Sequence, residues 1–339
     1  MTTAAAFEVK GWCPGALRPM ESGDGLLVRV RPWCGAFTLE QAAGLADIAG
    51  RLGNGHIDLT RRANLQIRGL KDADMPALHE ALDRLELLDP DARTEAARNI
   101  MVGPLAGPEA RALAAELSRA LPLDLPPKFG WLVDGAPFTI VGERSDIALC
   151  VTDAGVAVRR GDRWLGVTSR AQAVAMASGA TPLFAPLSEV PAAGARPPGI
   201  AAPFGRLEAD QLRALVALAG KAGASEMRLS PWRALYFDAD IAGAESLGLI
   251  VDADDPLLRI DACPGGPACR SSSVDTRRDA MRIAARGFAG TVHVSGCAKG
   301  CARSAPADLV LVGDNGRYGV IHRGTSRDNI ERTVAPEEI

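Results

Sequence analysis

The stretch "GAFTLEQAAGLADIAGRLGNGHIDLTRRANLQ", residues 35–66, returns in altered form 170 positions later as "GRLEADQLRALVALAGKAGASEMRLSPWRALY", residues 205–236. In each copy, apolar residues at helical spacing precede two short alternating runs, which predicts helix, loop, strand, turn and strand. Thr38, with Gln41 three residues later, is a capping-box helix start. Identical residues at matching positions include the pairs Gly35 and Gly205, Gln41 and Gln211, Leu45 and Leu215, Ala49 and Ala219, Gly50 and Gly220, Leu59 and Leu229, and Leu65 and Leu235. The sequence therefore predicts a duplicated α+β unit.

A second, weaker repeat follows each copy of the first. "WLVDGAP…SDIALCVTD…GDRWLGV" in the first half is echoed by "VHVSGCAK…ADLVLVGD…GDNGRYGV" in the second, with gaps that differ. A stretch rich in proline and alanine, residues 181–199, predicts a linker between the halves. The predicted order is thus A–B–A′–B′, with boundaries at residues 1–85, 86–185, 186–250 and 251–339.

Composition limits the kinds of partner. The chain has 339 residues and a net charge of −3, so neither nucleic acid nor a membrane surface is expected as a partner. The sequence shows no secretory signal and no apolar run near the roughly 20 residues of a membrane helix. With seven cysteines and no export signal, reduced thiols in the cytoplasm are expected rather than a disulfide framework.

Four cysteines form two close pairs in glycine-rich loops. Cys263 and Cys269 are spaced C-x5-C, and Cys297 and Cys301 are spaced C-x3-C. Four thiolates from two loops suit an iron–sulfur cluster or a tetrahedral zinc ion. Zinc loops usually have C-x2-C to C-x4-C turns, so the x5 spacing fits zinc poorly. Four buried structural thiols are a third interpretation, since free cysteine is commonly buried.

Cationic residues concentrate in loops of the first half. One turn and strand holds Arg61, Arg62, Gln66 and Arg68; Arg98 and Lys128 stand near two further turns. Each residue alone could be a solvated surface charge. Together, in a chain that is not basic overall, they predict a cavity for a polyanion, because the arginine fork binds carboxylates bidentately.

"LTRRANLQIRGL" (59–70), "ARNIMVGPLAG" (97–107), "LPPKFGWLVDG" (125–135) and the four cysteines, in this order, resemble the sirohaem-dependent sulfite and nitrite reductases. The resemblance covers nearly the whole chain. It implies a pseudo-twofold α+β fold, with one domain built from both ferredoxin-like half repeats and two α/β domains. It also implies a [4Fe–4S] cluster on Cys263, Cys269, Cys297 and Cys301, the last of which bridges to the sirohaem iron in those reductases.

Two departures from the reductase pattern favour one branch of that superfamily. Ala63 follows Arg62 where the reductases carry glutamine, and Gly130 follows Phe129 where they carry a second lysine. We interpret Gly130 as opening room in the cavity. "GWCPGALRPMESGDGLLVRVRP" (11–32) and "LTRRANLQIRGL" are similar to the precorrin-3B synthases of aerobic cobalamin biosynthesis.

That resemblance implies a monooxygenase. Dioxygen and a reductant would introduce a hydroxyl at C20 of precorrin-3A, and a ring-A acetate would close a γ-lactone. Sirohaem is then not expected, and a non-haem iron is implied whose ligands the sequence does not identify. No catalytic residue is identified, although His293 could face the cavity. No G-x-G-x-x-G follows a strand, so NADH is expected to act through a separate donor.

Two other functions remain open from the sequence. The first is a sirohaem-dependent sulfite or nitrite reductase. The second is a non-catalytic module that binds a tetrapyrrole or a cluster. An absorption spectrum separates the reductase from the monooxygenase, because sirohaem gives a strong Soret band. Turnover of precorrin-3A separates the monooxygenase from the binding module.

Overall fold

The computed structural model describes residues 11–122, 124–126, 128–196 and 198–339. Within these ranges the chain forms 19 strands in four sheets and seven α-helices. The α+β class predicted from the sequence is confirmed. In the described part of the chain, no helix has both the length and the apolar character needed to cross a membrane.

In its described residues, the first half contains ten strands and five helices. The strands are β1 (Met20–Ser22), β2 (Gly25–Val30), β3 (Ala36–Thr38), β4 (His56–Leu59), β5 (Leu65–Leu70), β6 (Ile100–Val102), β7 (Trp131–Gly135), β8 (Ile147–Thr152), β9 (Gly155–Arg160) and β10 (Arg163–Thr168). The helices are α1 (Leu39–Arg51), α2 (Met75–Arg84), α3 (Ala92–Ala97), α4 (Pro108–Ala120) and α5 (Arg170–Ala175).

The second half contains nine strands and two helices. The strands are β11 (Ile200–Ala201), β12 (Arg206–Glu208), β13 (Glu226–Leu229), β14 (Ala234–Phe237), β15 (Ile260–Ala262), β16 (Val292–Ser295), β17 (Ala307–Asp314), β18 (Arg317–Gly324) and β19 (Arg332–Val334). The helices are α6 (Ala209–Lys221) and α7 (Thr276–Ala285).

The first repeat predicted from the sequence is present and its copies exchange strands. β3, α1, β4 and β5 recur as β12, α6, β13 and β14. The predicted capping box of Thr38 and Gln41 starts α1. β12 of the second copy pairs with β4 of the first, and β3 of the first pairs with β13 of the second. Leu45 and Leu215, at matching positions, are both fully buried. Because each copy completes a sheet of the other, one unit is built from both.

The second repeat is also present. β6 to β10 and β15 to β19 form two five-stranded sheets with the same strand order. In each sheet the first three strands run parallel and the last two pairings are antiparallel. Cys263 and Cys297 follow the parallel strands β15 and β16, so the two cysteine loops leave the sheet at one edge.

The segment predicted as a linker contains no helix and no regular strand in its described residues, 181–196 and 198–199. Its one sheet-like contact is an isolated bridge between Ala185 and Val167 of β10. This conformation is compatible with a linker between the halves. The domain boundaries at 85, 185 and 250 stay a prediction.

Candidate functional site

One cavity brings together the two cysteine loops and the cationic turn of the first half. Its volume is about 570 Å³, within the range of small-molecule sites. Eight of the residues predicted from the sequence line it: Arg61, Arg62, Gln66, Arg68, Cys263, Cys269, Cys297 and Cys301. The cavity therefore joins residues from opposite halves of the sequence.

Close contacts hold the two cysteine loops against each other. The backbone N–H of Gly296 donates to the Sγ of Cys263 at 3.1 Å. A Cβ at Gly296 would lie 2.3 Å from the Ser272 hydroxyl oxygen, so only glycine permits this approach. The hydroxyl of Thr276, at the start of α7, donates to the Cys263 carbonyl at 2.6 Å. These contacts hold the two cysteine loops together.

The donor set at this edge, four cysteine thiols from two loops, is of the kind that can hold an iron–sulfur cluster. Among the residues that the structure describes, no three His, Cys, Asp or Glu side chains are grouped so that they could hold one metal ion. A cluster is larger than one ion and takes its four thiolates from around its body. Cys301 has an exposed surface and lines the cavity. Loss of solvation near the protein nevertheless raises the pKa of its thiol to about 11. Iron would therefore have to displace the thiol proton.

The strand that carries Gln66 and Arg68 has the two faces predicted from its alternation. Leu65 and Ile67 are fully buried in the core, whereas Gln66 and Arg68 line the cavity. Arg68 forms its hydrogen bonds with other residues of the protein. Its guanidinium bonds Asp24 at 2.7 and 2.8 Å and Ser22 at 2.7 Å, and the side chain is only 3% exposed. Arg68 therefore shapes the cavity wall.

Two buried carboxylates organise the arginines around the cavity. Asp58 of β4 pairs with Arg206 at 2.8 Å, Arg277 at 3.3 Å and Arg68 at 3.4 Å. Burial raises the pKa of Asp58, but these guanidiniums outweigh burial and hold that pKa well below its usual range. Asp58 is therefore ionised at neutral pH and holds three arginines, of which Arg68 and Arg277 line the cavity.

Asp261 of β15 holds a second group of three arginines, of which Arg61 and Arg233 line the cavity. It pairs with Arg61, with Arg303 at 3.1 Å and with Arg233 at 3.3 Å. Arg61 also donates to the Ala302 carbonyl at 2.9 Å, yet its side chain stays 45% exposed. This guanidinium is anchored and still accessible from the cavity.

The sequence interpretation missed several cavity cations. Arg233, Arg270 and Arg277 line the cavity from the second half, although the prediction placed the cationic wall in the first. Buried N–H groups without a partner among the described residues include Nε and Nη1 of Arg277, Nε of Arg233 and Nε of Arg29. Buried donors of this kind are costly unless an acceptor reaches them. An anionic ligand would supply acceptors.

Two residues predicted to bind substrate lie outside the cavity lining. Arg98 is buried, and its guanidinium bonds both oxygens of Asp89 at 2.8 Å and stacks 3.8 Å from the Trp33 ring centroid. Lys128 is exposed, with a positive φ of 72°. Their assignment as substrate ligands stays a prediction that this placement does not favour.

The space next to Gly130 is not empty, contrary to the interpretation that glycine opens room there. The Arg62 guanidinium fills it: a Cβ at Gly130 would lie 1.7 Å from Nη2 of Arg62. Nη1 of the same guanidinium donates to the Arg144 carbonyl at 3.0 Å. Because Gly130 has no side chain, the guanidinium of Arg62 fits beside it.

His293 does not line the cavity. Its side chain is fully buried in β16, opposite Asp261 in the sheet register, and neither ring nitrogen has a partner among the described residues. Burial lowers the pKa of His293 to about 4; the nearby Asp261 opposes this shift, and Arg303, Arg61 and Arg233 add to it. His293 is therefore neutral at pH 7.

Comparison with known proteins identifies the family. The ferredoxin-like half domain of nitrite and sulfite reductases matches residues 18–85 and 195–238, which contain the two copies of the first repeat. A precorrin-3B synthase from a Sinorhizobium species is 33% identical over an alignment of 394 residues, covering 94% of this chain and 83% of the relative. The chain belongs to the precorrin-3B synthase family.

Reductases resemble this member of the precorrin-3B synthase family over shorter stretches. A ferredoxin–nitrite reductase from Leptolyngbya laminosa is 33% identical over 29% of this chain and 19% of its own length. A sulfite reductase [ferredoxin] from Mycolicibacterium paratuberculosis is 30% identical over 36% and 26%. The structure of the Mycobacterium tuberculosis NirA protein superposes with a TM-score of 0.71 over 93% of this chain and 78% of that chain, at 19% identity. The sulfite and nitrite reductase fold is thereby confirmed.

Proposed function

We propose that this protein converts precorrin-3A into precorrin-3B. The reaction places a hydroxyl on C20, and a ring-A acetate closes a γ-lactone. One oxygen atom of dioxygen enters the product and the other leaves as water, so two electrons and two protons are consumed. NADH supplies the electrons through a separate carrier, and the cytoplasm is the expected location. The proposal rests on one observation: a single cavity is lined by four cysteine thiols and by several arginines.

We propose that Cys263, Cys269, Cys297 and Cys301 hold a [4Fe–4S] cluster at one side of this cavity. The bound cluster would supply one-electron transfer, at a potential that its surroundings set. Sirohaem is not part of the proposal, and a strong Soret band in the purified protein would contradict this point. For the implied non-haem iron we assign no ligands.

The arginines have a binding role in this proposal. Precorrin-3A carries acetate and propionate groups around its rim, and each carboxylate accepts paired N–H bonds from a guanidinium. Arg277, Arg233 and Arg29 offer unpartnered N–H groups, while Arg61 and Arg62 line the same cavity. Asp58 and Asp261 hold several of these cations in place before the substrate arrives, which reduces the entropy lost on binding.

The substitution Arg62→Ala tests this role. It is expected to weaken precorrin-3A binding about ten- to a hundredfold, since a charge-assisted bond contributes about 1.5–3 kcal/mol. Lys128→Ala is expected to have a smaller effect, because that side chain is exposed outside the cavity lining. The measurement is tetrapyrrole titration followed by absorbance, with iron content as a check on folding.

Arg84→Ala is the matched control, since Arg84 is 70% exposed on α2. If Arg62→Ala binds precorrin-3A as tightly as the wild type, Arg62 is a solvated surface charge and not a substrate ligand. A loss in Lys128→Ala as large as in Arg62→Ala would confirm the role predicted from its motif.

A further inference from the structure

Gly130 faces the end of the Arg62 side chain with nothing between them. A Cβ added at Gly130 would lie 1.7 Å from Nη2, 2.8 Å from Cζ and 3.1 Å from Nη1 of Arg62. The φ of Gly130 lies outside the left-handed region that favours glycine. The backbone itself would therefore accept a side chain here, and the guanidinium is what requires glycine.

Arg62 is held over Gly130 by a loop that also bonds Gly130. Nη1 of Arg62 donates to the Arg144 carbonyl at 3.0 Å. The backbone N–H of Gly130 donates to Oδ2 of Asp146 at 2.8 Å, and the N–H of Asp146 donates back to the Gly130 carbonyl at 2.9 Å. The loop that contains Arg144 and Asp146 therefore bonds both Gly130 and Arg62, and it holds the Arg62 guanidinium at the edge of the cavity.

A side chain at position 130 would move the arginine. The guanidinium is the far end of a flexible side chain, so it would shift while the fold stayed intact. Arg62 borders the cavity, together with Thr60 and Arg61 on the same turn. Displacement from the Arg144 carbonyl would therefore move a charged group that lines the cavity.

We infer that Gly130 is a positioning residue that places Arg62 for substrate binding. With glycine, the Arg62 charge stands at the cavity edge, where it meets a peripheral carboxylate of a large tetrapyrrole. With a side chain at 130, the charge could not keep that position. This inference rests on the proposed function, because it takes a tetrapyrrole with carboxylates on its rim as the ligand.

The test is a double-mutant cycle on precorrin-3A binding. Gly130→Ala is expected to weaken binding about tenfold in the wild-type background. In an Arg62→Ala background, Gly130→Ala is expected to leave affinity unchanged, because the group it displaces is gone. Gly142→Ala is the matched control, since a Cβ there would meet only the Ala193 Cβ, at an ordinary 3.8 Å. A crystal structure of Gly130→Ala is expected to show Arg62 away from the Arg144 carbonyl.

Two results would overturn the inference. One is an equal loss of affinity from Gly130→Ala in both backgrounds, or no loss in either. The other is a crystal structure of Gly130→Ala in which Arg62 still bonds the Arg144 carbonyl. Absence of precorrin-3A binding by the wild-type protein is a different result: it contradicts the proposed function. In that case the position of Arg62 in the crystal structure still decides whether Gly130 places it.

Discussion

Replacing any one of Cys263, Cys269, Cys297 and Cys301 by serine is expected to remove most of the iron and acid-labile sulfide from the purified protein. Conversion of precorrin-3A should be lost with them. All four thiols line one cavity, and an iron–sulfur cluster depends on thiolate ligands. The measurements are iron and sulfide content after anaerobic purification, followed by turnover. The expected effect is close to complete, because a cluster with three of its four thiolate ligands is held weakly and is lost during purification.

Cys150→Ala is the control for this series. Cys150 is buried in β8 of the first half, and burial raises the pKa of its thiol to about 12, so it is a neutral core residue. That variant should keep its full iron and sulfide. Full cluster content in two or more of the four serine variants would refute the ligand assignment.

The substitution Asp58→Asn is expected to lower the free energy of unfolding by about 3–5 kcal/mol, the usual cost of removing one member of a buried ion pair. Asp58 is buried among three arginines, so its neutral replacement removes the carboxylate paired with Arg206 and Arg277, close to Arg68, which keeps its pair with Asp24. Urea unfolding at pH 7, followed by circular dichroism, measures the change.

Asp47→Asn is the control for Asp58→Asn. Asp47 is 58% exposed and pairs with Arg213 on the surface. Exposed pairs contribute about 0–1 kcal/mol, so that variant should unfold almost as the wild type does. Equal stability of Asp58→Asn and the wild type would show that the arginines do not depend on this carboxylate.

The pH dependence of the same variant has a defined sign. The pKa of Asp58 is lowered in the folded protein, so its charge contributes stability above the pKa it has when unfolded, about 4. That contribution is lost as the pH falls below this value toward the folded pKa. The difference in stability between the wild type and Asp58→Asn should therefore shrink below pH 4.

The repeats could be predicted because residues close together in the sequence indicate each helix and strand. Gln41 and Gln211 lie in matching helical turns, and the Thr38 capping box marks where α1 begins. The alternation of Leu65 and Ile67 with Gln66 and Arg68 gave the correct faces of β5. These features depend on neighbours a few residues apart, which a single sequence displays.

The arginine network could not be predicted in the same way. Arg206 lies 148 residues from Asp58, and Arg277 lies 219 residues from it. They meet because β12 crosses into the sheet of the first copy and α7 starts beside the cysteine loop. No spacing in the sequence encodes this exchange. Arg98 looked equally available from its motif, but Asp89, nine residues earlier, takes its guanidinium in a buried pair.

The central claim is that this cavity hosts an oxygenation of a tetrapyrrole, and isotope labelling tests it most directly. The purified protein, precorrin-3A, NADH and an electron carrier are incubated under isotopically labelled dioxygen, and the product mass is measured. The account predicts a product with one labelled oxygen atom, formed only when substrate and reductant are both present. A product without label, or vigorous reduction of sulfite or nitrite by the same preparation, would contradict it.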